Sequence, residues 1–334
     1  MIPRTKPSLH TTSWQNELAQ AVKDPTELLK ILELNPELLP AANQAAKTFP
    51  LRVPRSFIAR MRKGDPQDPL LLQVLPLHDE LITSPGFYAD PVGDLTSMAT
   101  PGVLHKYHGR ALFITTGACA VHCRYCFRRH FPYSGAHAGS SQWSHAIDYI
   151  KQNSSITEII LSGGDPLSLH DNRLASLLAM LDAIPHLQRL RIHTRLPIVI
   201  PQRVTTSLIN ALTGLRLTPV VVVHANHANE IDHTVSKALT TLKTAGVLLL
   251  NQSVLLKGVN NSSTALVDLS EALFAAGVLP YYLHLLDRVQ GAGHYEVDDP
   301  QARQIHHQLA QKLPGYLVPR LVREQSGAPY KIPQ

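Results

Sequence analysis

Cys119, Cys123 and Cys126 are the only cysteines of this 334-residue chain, and they fall within eight positions in the pattern C-x3-C-x2-C. Thiols so close together suit a shared metal centre better than a disulfide framework, and their odd number points to a reducing compartment. A cubane [4Fe-4S] cluster has four irons, so three thiolates leave one iron open to chelate a substrate or cofactor. Zinc is the first alternative, with His122 or His130 as the fourth ligand, although no second ligand pair lies at zinc-finger spacing. Downstream, Gly163-Gly164-Asp165 combines two glycines, which let backbone approach a ligand closely, with a carboxylate. Taken alone, such a pair is more often a turn. Lys331, three residues from the C-terminus, taken alone reads as an exposed, frayed side chain.

The elements that must position these groups follow from periodicity. From Arg110 onward, six apolar or β-branched runs alternate with helical stretches: Ala111 to Thr116, Glu158 to Ser162, Leu190 to Thr194, Val220 to His224, Val247 to Ser253 and Leu279 to Leu285. That alternation predicts right-handed βαβ units and a parallel sheet. Polar or glycine-rich groups follow every run, among them the cysteine loop, Gly163-Gly164-Asp165, His193-Thr194-Arg195, His224-Ala225-Asn226 and His284 through Asp287. In barrels of parallel strands that rim collects ligand and catalytic groups. The predicted fold is α/β, a partial (β/α)6 TIM-like barrel over 105–315, preceded by a helical and irregular region over 1–104 and followed by a short segment over 316–334. A doubly wound open sheet is the structural alternative. In the first region, Asp24-Pro25-Thr26-Glu27 predicts a capped helix start with a reciprocal Glu. Pro36 and Pro54 mark further helix starts, and Leu70, Leu71, Leu72 and Leu75 should pack the irregular stretch against the main body.

Hydrophobic residues at 44% and charged residues at 17% are ordinary for a globular chain able to bury a large core. Met1 to Pro7 carries charge with no apolar run behind it, so no secretory signal is expected. The apolar runs at Val220 to Val223 and Val247 to Leu250 are too short to span a bilayer. The expectation is a cytoplasmic protein with no membrane partner. A net charge of +6 and a pI near 9.2 permit nucleic-acid binding, but no Lys/Arg block appears. The charge therefore reads as a solvated surface with sites for anionic ligands.

The cysteine spacing after a first strand, with Leu161-Ser162-Gly163-Gly164-Asp165-Pro166 ending the second, resembles the radical S-adenosylmethionine (SAM) superfamily. The resemblance implies a [4Fe-4S] cluster on Cys119, Cys123 and Cys126, SAM chelated by the open iron, and contacts to SAM from Gly163, Gly164 and Asp165. It also implies a reducing electron donor, whose electron cleaves SAM to a 5′-deoxyadenosyl radical. From about residue 85 onward the chain is similar to the lysine 2,3-aminomutase family. This likeness rests on His105-Lys106-Tyr107, Cys126-Phe127-Arg128-Arg129, Arg195-Leu196-Pro197, Pro201-Gln202-Arg203, His224-Ala225-Asn226-His227, Asn251-Gln252-Ser253-Val254-Leu255-Leu256-Lys257-Gly258-Val259-Asn260 and Pro280-Tyr281-Tyr282.

That family implies pyridoxal 5′-phosphate (PLP), carried by a lysine near the C-terminus, which Lys331 in Ser326-Gly327-Ala328-Pro329-Tyr330-Lys331 matches. By resemblance, Lys106, Arg110, Asn251 and Gln252 serve the PLP phosphate and phenolate, with Lys106 where arginine is common. Arg128 matches the position that grips the α-carboxylate of substrate L-lysine. Asp287 matches one carboxylate for its ε-ammonium, and Glu324 falls where clostridial-type members have a second Asp. That departure keeps the charge and adds a methylene. The implied reaction is exchange of the 2-amino group and a 3-hydrogen of L-lysine to give β-lysine. The compact chain resembles bacterial members that make (R)-β-lysine for elongation factor P, which implies a functional link to a lysyl-ligase. Two rival readings stand beside this one: a glutamate-type radical SAM aminomutase, and an Fe-S protein that binds nucleic acid or modifies RNA.

Overall fold

The predicted alternation is realised, in a computed structural model describing residues 13–133 and 143–334, as one ten-stranded sheet whose spatial order is the chain order. Its strands are β1 (Met98–Thr100), β2 (Val103–Tyr107), β3 (Arg110–Thr116), β4 (Glu158–Gly163), β5 (Arg189–Thr194), β6 (Thr218–Val223), β7 (Leu248–Val254), β8 (Leu279–His284), β9 (Arg320–Arg323) and β10 (Ile332–Pro333). The six predicted runs are β3 to β8, each end within two residues. Neighbours from β3 through β9 pair in parallel, as βαβ units require. The sheet runs further than the six units: β9 adds a seventh parallel strand, and β1, β2 and β10 add antiparallel edges. Among the described residues β1 and β10 do not pair with each other, so the barrel stays open. The Met1 to Pro7 stretch lies outside the described residues.

Among the described residues four α-helices precede the barrel: α1 (Trp14–Ala19), α2 (Pro25–Ile31), α3 (Leu39–Thr48) and α4 (Arg55–Ile58). Asp24 caps α2 by accepting from the Thr26 amide at 2.9 Å, with Pro25 at the first helical position. The expected reciprocal bond from Glu27 is not made, because that carboxylate pairs instead with Arg55. Pro36 opens a 3-10 turn leading into α3, and Pro54 stands immediately before α4. Leu28, Leu29, Leu32, Phe57, Leu70, Leu71 and Leu75 join the hydrophobic cluster that also holds Leu196, Ile198 and Val199. The first hundred residues therefore share a core with the barrel. Each such fully buried Leu or Ile contributes about 1.5–3 kcal/mol.

The crossovers are α5 (Trp143–Gln152), α6 (Asp171–Asp182), the short α7 (Leu196–Val199), α8 (Thr206–Thr213), α9 (His233–Thr244), α10 (Ser263–Ala275) and α11 (Asp299–Lys312). Thr205, Asp232, Ser262 and Asp298 cap α8, α9, α10 and α11 through side chains that accept from amides three residues on. Along the strands, alternate residues such as Ile159, Leu161, Leu190, Ile192, Val221, Val223 and Leu249 are buried in that large hydrophobic cluster. The intervening ones, including Ser162, His193, His224, Gln252, Tyr282 and His284, line a cavity inside the barrel. Among the described residues, no helix is long and apolar enough to cross a membrane.

Candidate active site

The loop after β3 is anchored by the residues between its cysteines. Arg124, fully buried, grips Glu80 with Nε to Oε1 at 2.8 Å and Nη2 to Oε2 at 2.6 Å, and Arg129 Nη2 reaches the same Oε2 at 2.7 Å. The His122 ring stacks on Phe49 and bonds the Pro50 carbonyl, while His130 bonds the Gln290 carbonyl. With those side chains so engaged, Cys119, Cys123 and Cys126 all line the cavity, whose volume is about 700 Å³. Among the described residues, no three His, Cys, Asp or Glu side chains converge as ligands of a single ion. His122 and His130, the expected fourth ligands for zinc, are each engaged on a backbone carbonyl. Burial, then the neighbouring thiols, push Cys126 up to about 11 and Cys119 well above its ordinary value. Three thiolates here need positive charge beside them, which a cluster's iron supplies. Arg195 stands 2.7 Å from Cys123 Sγ and is held there by Tyr125, Gln73 and Glu230.

Gly163 and Gly164 bring the end of β4 against this loop. A Cβ on Gly164 would lie 2.4 Å from the Ala118 carbonyl oxygen, and one on Gly163, where φ is +117°, would lie 2.8 Å from that of Thr116. The close approach is sealed by Gly164 N to Thr116 O at 2.7 Å and Asp165 N to Ala118 O at 2.8 Å. The Asp165 carboxylate is spent on protein partners: Oδ1 accepts from Leu167 N and Thr194 Oγ1, and Oδ2 from Arg195 N and Leu196 N. It ties β4 to the end of β5.

Further charged groups of the cavity gather around two carboxylates, Asp94 and Glu324. Asp94 receives Arg128 Nε at 2.7 Å on one oxygen and Lys106 Nζ at 2.7 Å on the other. Burial pushes the Asp94 carboxyl up, but the two cations outweigh it and hold it below the ordinary range. Arg128 also donates to Ser162 Oγ at 3.1 Å and lies over the Phe127 ring. Glu324 accepts Lys331 Nζ at 2.6 Å on Oε2 and Tyr107 OH at 2.6 Å on Oε1, with Lys106 3.8 Å away. Burial raises the Glu324 carboxyl, but Lys331 and these partners hold it low. Arg110 stacks over Tyr107, and the Lys331 ammonium lies 5.9 Å from the Tyr282 ring centre. Lys331 is thus part of the cavity wall rather than a frayed end.

Asp287 differs from the other acids of the wall. No ion pair or hydrogen bond reaches its side chain among the described residues, and its Oδ1 is fully shielded. Burial raises its carboxyl to about 7, with Glu324 and Asp94 adding to the rise and Lys331 opposing it. Gln252 Oε1 and the Nε2 atoms of His193, His224 and His284 are likewise buried without partners around the same cavity. Burial keeps the three imidazoles neutral, His224 at about 3. A buried polar group without a partner costs about 1–3 kcal/mol, so several around one cavity mark a ligand site. Together with the cations Lys106, Arg110 and Lys331, they fit a polar, anionic, amine-reactive cofactor such as PLP.

Asn251 corrects one expectation. Its side chain is buried and clamps the Ala225 backbone, with Oδ1 accepting from Ala225 N at 2.9 Å and Nδ2 donating to Ala225 O at 3.1 Å. Neighbouring strand residues face opposite sides, so Gln252 lines the cavity and Asn251 does not. The structure adds Asp94 and the ring of His193, His224 and His284 to the wall. The strand-end polar groups had signalled the histidines, whereas Asp94 lies in an irregular stretch without periodicity.

Residues 108–189 match the family described as a 4Fe-4S single cluster domain. A curated relative from Escherichia coli (strain K12), named L-lysine 2,3-aminomutase, is 52% identical over 96% of this chain and 94% of its own length. A relative of the same name from Haemophilus influenzae is 50% identical, again covering 96% of this chain and 94% of that protein. Among solved structures, Streptococcus suis SuiB bound to S-adenosylmethionine aligns over 69% of this chain and 53% of that chain, with a TM-score of 0.46 and 13% identity, too slight a likeness to argue from.

Proposed function

Since the chain belongs to the L-lysine 2,3-aminomutase family, we propose that it converts L-α-lysine to β-lysine in the barrel cavity. The observation that carries this reading is that a single cavity is lined by the three cysteines, Arg128, Asp287 and Lys331. Cys119, Cys123 and Cys126 would hold a [4Fe-4S] cluster, and Lys331, with Lys106, Arg110 and Gln252, would hold PLP. The cluster with SAM supplies a radical that abstracts hydrogen, and PLP supplies a carbonyl that holds an amine and delocalises an unpaired electron.

The chain's own residues then set the substrate. Arg128 binds the α-carboxylate in two bonds, as a planar guanidinium can. Asp94 fixes that guanidinium through Nε, with Nη1 turned toward Ser162. Asp287 holds the far ammonium in a pocket that water does not reach at Oδ1. Gly163 and Gly164 line the cavity beside the cluster loop and would offer SAM their backbone groups. The proposal extends to the (R) product, to an outside reducing donor and to a ligase that would pass β-lysine to elongation factor P. The test is anaerobic incubation of the reconstituted protein with SAM, PLP, a reductant and L-lysine, followed by chiral product analysis. Formation of (R)-β-lysine is expected; conversion of glutamate with lysine untouched would replace the reading with the glutamate-type one.

A further inference from the structure

The wall carries three cations, Lys106, Arg128 and Lys331, on two carboxylates, Asp94 and Glu324. Glu324 is the more heavily used. One oxygen meets Lys331 at 2.6 Å, and the other takes the Tyr107 hydroxyl at 2.6 Å with Lys106 at 3.8 Å. A further ammonium brought to Glu324 would meet two like charges already beside it, Lys331 and Lys106. Asp287, on the same wall, has no ion pair or hydrogen bond among the described residues.

Resting on the lysine reading above, we infer that Glu324 is the seat of Lys331 when its amine is free, and that Asp287 alone receives the ε-ammonium of the substrate. The two carboxylates thereby divide between enzyme amine and substrate amine. The proton count closes on this division. When the substrate's α-nitrogen takes over the C=N bond to the cofactor carbon, Lys331 Nζ leaves that carbon. It departs as an ammonium with the protons the incoming α-ammonium brought, so total charge is unchanged. Glu324 receives the departing charge at the place where the structure shows it.

Two consequences differ in kind. Loss of the Glu324 charge disfavours release of Lys331, and so weakens every amino acid that must displace it by a common factor. Loss of the Asp287 charge weakens only ligands that carry an ε-ammonium. The test titrates the full chain, loaded with its cluster and PLP, with L-lysine and with L-norleucine, which has the same carbon chain without the ε-ammonium. Bound PLP absorbance gives the dissociation constants, with iron and PLP content confirming each variant.

The parent should prefer lysine by about tenfold or more. Asp287→Asn should bring the lysine-to-norleucine ratio close to parity. Glu324→Gln should weaken both ligands about tenfold and leave the ratio within about threefold of the parent. Glu324→Asp should weaken both equally and by less, which also covers poor folding of the Gln variant. A selective loss of lysine binding in either Glu324 variant, from a parent that prefers lysine, would overturn the division while leaving the lysine reading intact. A parent with no preference would overturn both.

Discussion

Asp287 sets the ionic state in which substrate can be held. Burial, with Glu324 and Asp94 adding and Lys331 and Lys106 opposing, places its carboxyl at about 7. The ε-ammonium of lysine stays charged well above that pH, so the ion pair needs Asp287 ionised. Lysine affinity should therefore rise as pH increases through about 7 and level off above it, and Asp287→Asn should flatten the rise; titrations across about pH 6 to 9 measure this. The same raised value has the opposite sign for stability. The folded chain holds a proton that the unfolded chain releases near 3.8, so stability from this group is lost progressively from about pH 4 to 7. Asp287→Asn should accordingly make the unliganded protein about 1–3 kcal/mol more stable near pH 8, read as a higher Tm. An unchanged Tm would mean that water relaxes this site. Changing any of Cys119, Cys123 or Cys126 to Ala should abolish SAM cleavage, because two thiolates do not hold the cubane productively. Retained 5′-deoxyadenosine formation would remove the cluster from that loop.

At the scale of elements, the end of β4 and the cysteine loop behave as one unit. Gly164 lets them meet, since a Cβ there would stand 2.4 Å from the Ala118 carbonyl oxygen. Gly164→Ala must push the loop away from β4, at a cost of about 1–3 kcal/mol. It should lower iron per chain as well as Tm, whereas a purely local strain would lower Tm and spare the iron. Iron analysis beside thermal melting separates the two. Asp165 works at the same scale, joining β4 to Thr194, Arg195 and Leu196. It thereby helps place Arg195 against Cys123. At the other edge, β9 and β10 form the antiparallel pair Ile332 to Arg323 and Pro333 to Val322. This pairing brings Lys331 back to Glu324 across seven residues.

At the scale of the molecule, the barrel brings a loop at its first parallel strand and a lysine beyond its seventh to one cavity. The strands were legible because apolar or β-branched runs with polar or glycine-rich ends are local signals, and the cluster cysteines because their spacing is local too. β9 escaped because Arg320-Leu321-Val322-Arg323 is too short to show a period. Asn251 was assigned to the cavity from a motif stretch, although strand alternation allows only one of Asn251 and Gln252 to face it. Asp94 and the Glu324–Lys331 pair depend on contacts between distant or looped segments, which no window of sequence displays. The claim that both ends serve one site is tested most directly by borohydride trapping. The full chain with its cluster is incubated with PLP, reduced and digested, with and without prior L-lysine. Cofactor fixed to the peptide carrying Lys331, and transferred to free lysine when L-lysine is added first, is the expected result. Cofactor fixed to Lys106 or Lys257 instead would contradict the account.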